Sequence, residues 1–251
     1  MEASCVIPAF ENPDLLGRCL LSALSQEEIE LEVIVSDDSH STSVRDLTAA
    51  LAVLFPSLRY FAGPRSGNPV DNWNRGLDLA QGRMCVVVHH DEFFIDRRFL
   101  RRAVDRIDRE RLPAVIGGTL VLGVERPSRF RAANAVARAL GAPLWMLPSL
   151  NWLGPTAAFV FRRGPRFDPN LVQLVDVEFY RRVLGAGPAV FLDGACVGSL
   201  GHHSASITAT IDTHAMAMRE LRLLQSAAKP LLGRVEYAGH RLYRRLRSWR
   251  G

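Results

Sequence analysis

The sequence predicts an α/β fold built on a mostly parallel, Rossmann-like sheet flanked by helices, with a helical C-terminal tail. Three observations carry this. Short β-rich runs alternate with helical patterns from the first residues. Two of those runs end in polar clusters, Ser36-Asp-Asp-Ser39 and His89-His-Asp-Glu92, and in open α/β sheets ligands sit outside the carboxyl ends of strands. Residues 67–82 have the start and stop chemistry of a crossover helix.

Element by element, Cys5-Val-Ile-Pro opens the first strand and Leu15 to Ser25 a helix. Leu31 to Ser36 reads as the second strand, Val44 to Leu54 as a helix and Leu58 to Phe61 as the third strand. This βαβαβ order implies parallel pairing. Asn68 caps the next helix, Pro69 fits its first turn, and Gly82 stops it. A buried strand from Met84 to His89 follows, then an arginine-rich helix from Asp96 to Arg111. Further strands are expected near Ala114 to Leu122, at Ala157 to Phe161 and near Ala195 to Leu200, with a helix from Val175 to Leu184. These boundaries divide the chain into a nucleotide-binding half (1–111), an acceptor-binding half of the same domain (112–208) that supplies the other wall of the cleft, and a basic helical tail (209–251).

Composition excludes several function classes. At 251 residues and 48% hydrophobic, the chain has enough apolar mass for a buried core. Its best apolar run, Leu112 to Val124, has 13 residues and is broken by Pro113, Gly117, Gly118 and Gly123, short of the roughly 18 that a spanning helix needs. With no export signal before Ala3, a cytoplasmic location is expected, peripheral to the membrane if the tail binds it. Cys5, Cys19, Cys85 and Cys196 form no C-x-x-C pair and read as small core residues. Lys229 is the only lysine, which leaves Schiff-base chemistry almost no candidate. Residues 229–251 carry seven basic groups against one acid, so the remainder is near neutral and nucleic-acid binding by the main domain is not expected.

Neither G-x-x-x-x-G-K-[ST] nor G-x-G-x-x-G occurs. Phosphates would therefore need a metal, and His89-His-Asp-Glu92 offers the hard oxygen ligands and imidazoles that suit Mg²⁺ or Mn²⁺ on a diphosphate.

The motifs Val6-Ile-Pro-Ala-Phe-Glu-Asn12, Glu32-Val-Ile-Val-Ser-Asp-Asp-Ser39, Gly67-Asn68, Asn72-x-Asn74, Ala80-x-Gly82 and Asp91-Glu92 follow one another in that order. Gly154-Pro-Thr-Ala-Ala-Phe-Val-Phe-Arg-Arg163, Phe167-Asp168 and Asp176-Val-Glu-Phe-Tyr-Arg-Arg182 come later. Together these resemble the family 2 glycosyltransferases with the GT-A fold, over about residues 3–208. The resemblance implies that Asp38 hydrogen-bonds the base of a nucleoside diphosphate sugar, that Pro8 and Phe10 line the base pocket and that Asn68 lies on the donor side. It also implies that Asp91 or Glu92 binds the metal, and that His203, in His203-x-x-Ser206-x-Thr208, lies near the diphosphate. Asp176 matches the family's acidic position, that of the catalytic base, better than Glu178. The implied activity is inverting, metal-dependent hexosyl transfer to a glycan, lipid-linked or small-molecule hydroxyl acceptor, in glycan biosynthesis at the cell envelope. Without a Q-x-x-R-W signature it is non-processive.

Two other readings stay open. His89, His90, Asp91, His202 and His203 offer the ligand types of a metal-dependent hydrolase, and Glu92 in place of a family aspartate permits a non-catalytic sugar-nucleotide or glycan-binding module. In the tail, Leu231, Val235, Ala238, Leu242, Leu246 and Trp249 recur at helical spacing among arginines. That pattern fits either an anionic membrane surface or packing on the domain.

Overall fold

The computed structural model describes residues 1–122, 144–147, 151–185, 187–200 and 213–226. The expected alternation is realised by β1 (Ala3–Ala9), α1 (Pro13–Leu24), β2 (Leu31–Asp37), α2 (Ser43–Ala52), β3 (Leu58–Ala62), α3 (Pro69–Leu79) and β4 (Met84–Val87). β1 pairs in parallel with β2 and β4, and β2 with β3. All seven residues of β1 are buried, as a central parallel strand covered on both faces requires. Cys5 and Ile7 share a core cluster with Leu16, Cys19 and Leu20 of α1 and with Phe99, Leu100 and Ala103 of α4 (Phe99–Glu110). Val6 points the other way, to α3, where a Cβ on Gly76 would collide with it. That missing side chain lets α3 lie close against the sheet. All four cysteines are free and buried.

The chain separates into two compact units. The first comprises Met1–Gly123, Gly154–Phe167 and Ala186–Leu200. It holds one eight-stranded mixed sheet in the order β3-β2-β1-β4-β7-β6-β8-β5, completed by β5 (Glu92–Phe94), β6 (Ala114–Leu122), β7 (Phe159–Arg162) and β8 (Phe191–Leu200). β7 runs antiparallel to both β4 and β6, and β5 antiparallel to β8. The second unit comprises Val124–Leu153, Asp168–Gly185 and Gly201–Gly251 and holds α5 (Val175–Leu184) and α6 (Thr213–Ser226).

β6, β7 and β8, which lie beyond the expected division at 111/112, hydrogen-bond into the first unit's sheet whatever their place in the chain. The arginine-rich helix begins at Phe99, not at Asp96. Asp96 instead folds an Asx turn, accepting from the Arg98 N–H at 2.8 Å, and pairs with Arg102. The fourth strand ends at Val87, two residues early, and β5 was not anticipated. The tail expected from 209 contains α6, and residues 227–251 lie outside the described residues, as do His202 and His203.

Candidate functional site

In the first unit β1, β2 and β4 run parallel, so their carboxyl ends share one edge of the sheet. The turn after β1 is made by Glu11 and Asn12 with positive φ. Glu11 accepts from the His40 N–H at 2.8 Å and from Ser41, which lowers its pKa through these bonds and ties the β1 and β2 turns together. Asp37 is committed internally, accepting from the Tyr60 hydroxyl and the Ser39 N–H at 2.7 and 2.9 Å. Burial, with Asp37 adding, pushes the Tyr60 hydroxyl up to about 12.

Asp38, 7% exposed, donates its N–H to the Ala9 carbonyl and accepts from the Arg65 N–H at 2.9 Å. Gly63 passes over it where a Cβ would strike both the Asp38 carboxylate and the Arg75 guanidinium. Arg75, on α3, donates to Ser36 Oγ (3.1 Å), the Asp37 carbonyl (3.1 Å) and Asn72 Oδ1 (2.7 Å), while Asn72 holds the Ala9 carbonyl at 3.2 Å. One guanidinium nitrogen, Nη1, is buried with no hydrogen-bond partner. Arg75 and Gly63 were not singled out by sequence reasoning. Arg75 sits beside the Asn72-x-Asn74 motif, but its role depends on contacts with a strand more than thirty residues away.

Of the other expected donor-side residues, Phe10 is 53% exposed and meets His40 edge to face at 5.9 Å, whereas Pro8 is buried opposite Ser36. Asn68 Oδ1 caps α3 through the Val70 N–H at 3.0 Å, as expected of a cap.

After β4, His89 packs on Trp73 at 4.6 Å, and burial lowers its pKa to about 4, so the imidazole is neutral at pH 7. Glu92 is 6% exposed, and Oε2 accepts from the His89 N–H at 3.0 Å and Thr156 Oγ1 at 3.4 Å. Burial, with the Asp91 charge adding, pushes the Glu92 carboxyl up to about 8. Glu92 therefore ties the turn after β4 to the 3₁₀ turn Thr156–Ala158, which leaves the half-buried Asp91 as the better oxygen ligand of the pair. Among the described residues no three His, Cys, Asp or Glu side chains gather as a metal group. A Mg²⁺-type ion still fits, since it is commonly held by one or two carboxylates plus substrate phosphates.

In the second unit, Asp176 stands in the first turn of α5. Its carboxylate accepts from the Val177 N–H and from Asn151 Nδ2, both at 2.8 Å. Burial raises its pKa to about 6. Glu178, one turn position on, is held bidentately by Arg182 at 2.7 and 3.0 Å. That carboxylate is committed to its guanidinium partner. No basic side chain pairs with Asp176 among the described residues.

The sequence model of Glycosyl transferase family 2 matches residues 4–163, and this chain belongs to that family. An uncharacterized protein of Mycobacterium tuberculosis is 29% identical over 238 residues, spanning 86% of this chain and 70% of that protein. The structure of S. aureus TarS 1–349 in complex with UDP-GlcNAc is similar with a TM-score of 0.68 and 17% identity, over 94% of this chain and 69% of that one. The mannosyltransferase PcManGT from Pyrobaculum calidifontis, in complex with GDP-Man and Mn²⁺, is similar with a TM-score of 0.63 and 17% identity, over 95% and 69%. The fold is that of the GT-A glycosyltransferases, and the protein is a glycosyltransferase.

Proposed function

We propose that the protein is an inverting, non-processive, divalent-metal-assisted hexosyltransferase that moves a sugar from a nucleoside diphosphate to a hydroxyl acceptor, with Asp176 as catalytic base. The observation that carries this reading is the contrast within α5, where Arg182 neutralises Glu178 while Asp176 stays proton-affine near pH 6.

In the donor subsite, Asp38 accepts a hydrogen bond from the base, with Phe10 and Pro8 flanking the ring and Asn68 on the same side. Asp91 would hold a divalent cation, and Glu92 orients the turn that carries Asp91. The chemistry such an ion would supply there is neutralisation of charge on the departing diphosphate. Asp176 takes the proton from the acceptor hydroxyl as its oxygen bonds the anomeric carbon on the face opposite the leaving group. The bond from that carbon to the diphosphate breaks, and the nucleoside diphosphate leaves with the electron pair. Holding the reactants in line supplies much of the remaining rate. The acceptor is a glycan, a lipid-linked sugar or a small hydroxyl compound.

The test is a thermal-shift screen of UDP-, GDP- and dTDP-sugars with and without Mn²⁺, followed by the anomeric configuration of the product. A donor that raises Tm only with metal and yields an inverted product supports the reading. A retained configuration, or binding without turnover on any hydroxyl acceptor, contradicts it.

A further inference from the structure

Glu220 lies on α6, is 1% exposed and belongs to none of the sequence motifs. Its carboxylate is filled by backbone donors. Oε1 accepts from the N–H of Val172 (2.7 Å) and Gln173 (3.1 Å), and Oε2 from Gln173 (3.1 Å) and Leu174 (2.7 Å). These three successive peptides lead directly into α5. α5 has no side-chain cap at Leu174. Glu220, from another helix, accepts from the N–H groups of the three residues that precede Val175, the last of them the cap residue Leu174 itself. Burying a carboxylate is costly unless it is well hydrogen-bonded, and here the backbone satisfies both oxygens.

Asp176 follows Leu174 by two residues. The backbone Glu220 grips is therefore the backbone that sets where Asp176 points. The charge that acts on Asp176 is that of Glu220 from α6. Glu178 and Arg182, on Asp176's own helix, pair with each other, and Asn151, which donates to Asp176, is neutral. The Glu220 charge raises the proton affinity of Asp176 and adds to the effect of burial.

We propose that Glu220 is a positioning residue for Asp176, fixing the head of α5 and keeping a second negative charge beside the carboxylate. The proposal rests on Asp176 being the base. A merely structural tie would change stability and leave the pH dependence of catalysis alone.

The experiment compares kcat/KM against pH, kcat and donor affinity by calorimetry in the full-length protein and in Glu220→Gln, Glu220→Asp and Asp176→Asn. In Glu220→Gln the acid limb is expected to move to lower pH. Its kcat should fall about tenfold, with donor affinity within a factor of about two. Glu220→Asp, which keeps the charge on a shorter arm, should lower kcat and leave the limb in place. If Asp176→Asn keeps its turnover, the base assignment falls. If Asp176→Asn loses turnover while Glu220→Gln keeps the parent limb and kcat, the positioning role falls. Should Glu220→Gln not fold, Glu220→Asp decides: parent-like kcat, or a displaced limb, overturns the proposal.

Discussion

The two acidic clusters solve opposite problems. At the end of β2, Asp38 is held in place by the Arg65 N–H, beneath Gly63 and beside an Arg75 that laces together Ser36, Asn72 and the Asp37 carbonyl. At the head of α5, Asp176 accepts from the Val177 N–H and from Asn151, and burial leaves it reluctant to ionise. Under the proposed function, the first arrangement would fix an acceptor for recognition and the second would keep a carboxylate basic enough to take a proton. A binding carboxylate gains from rigid, satisfied surroundings, whereas a catalytic one gains from a pKa near the working pH.

This contrast can be broken from either side. Asp91→Ala, or removal of divalent cations with EDTA, is expected to lower kcat by about 10²–10³-fold, the loss typical of removing one group that stabilises developing charge. Steady-state rates with Mn²⁺ restored afterwards check it, since the parent should recover and the variant should not. Asp38→Ala should weaken donor binding by about ten- to a hundredfold, the range for one charge-assisted hydrogen bond, with kcat at saturating donor little changed. Calorimetry with the donor reads this directly, and unchanged affinity refutes the recognition role. Arg75→Met leaves Asn72 Oδ1, Ser36 Oγ and the Asp37 carbonyl short of a donor. It should cost about 1–3 kcal/mol of stability in denaturant unfolding, with Asp176-dependent pH behaviour intact.

A smaller effect follows from linkage. The folded-state pKa of Asp176 is raised, so its contribution to stability is greatest below the unfolded value near 3.9 and is lost as pH rises through about 6. Across that window the parent should lose stability relative to Asp176→Asn. Parallel Tm profiles for the two proteins between pH 4 and pH 7 would contradict the raised pKa.

Much of this was legible in the sequence where local pattern and tertiary role coincide. β1 to β4 were, because short β-rich runs alternate there with helix signals. Asp38 could be placed at the carboxyl end of β2, which it directly follows, whereas Asp91 stands four residues beyond the end of β4. β5 was not, since three residues carry no periodicity, and neither was the antiparallel course of β7, which is set by its neighbours in the sheet. The Glu178 to Arg182 pair was present in the sequence as an i, i+4 acid–base spacing and could have decided between Asp176 and Glu178. Glu220 was beyond reach, because its partners lie 46 to 48 residues away and are backbone groups.

The most direct measurement of the central claim is kcat/KM against pH for the parent, Asp176→Asn and Glu178→Gln with one nucleotide-sugar donor. A base must be ionised to accept a proton, so the account predicts a parent profile that falls below an apparent pKa of about 6. It predicts an Asp176→Asn protein slowed by roughly 10²–10⁴-fold with that limb gone and donor affinity intact. Glu178→Gln should keep the limb. Near-parent turnover and an unchanged limb in Asp176→Asn, with both lost in Glu178→Gln, would contradict it.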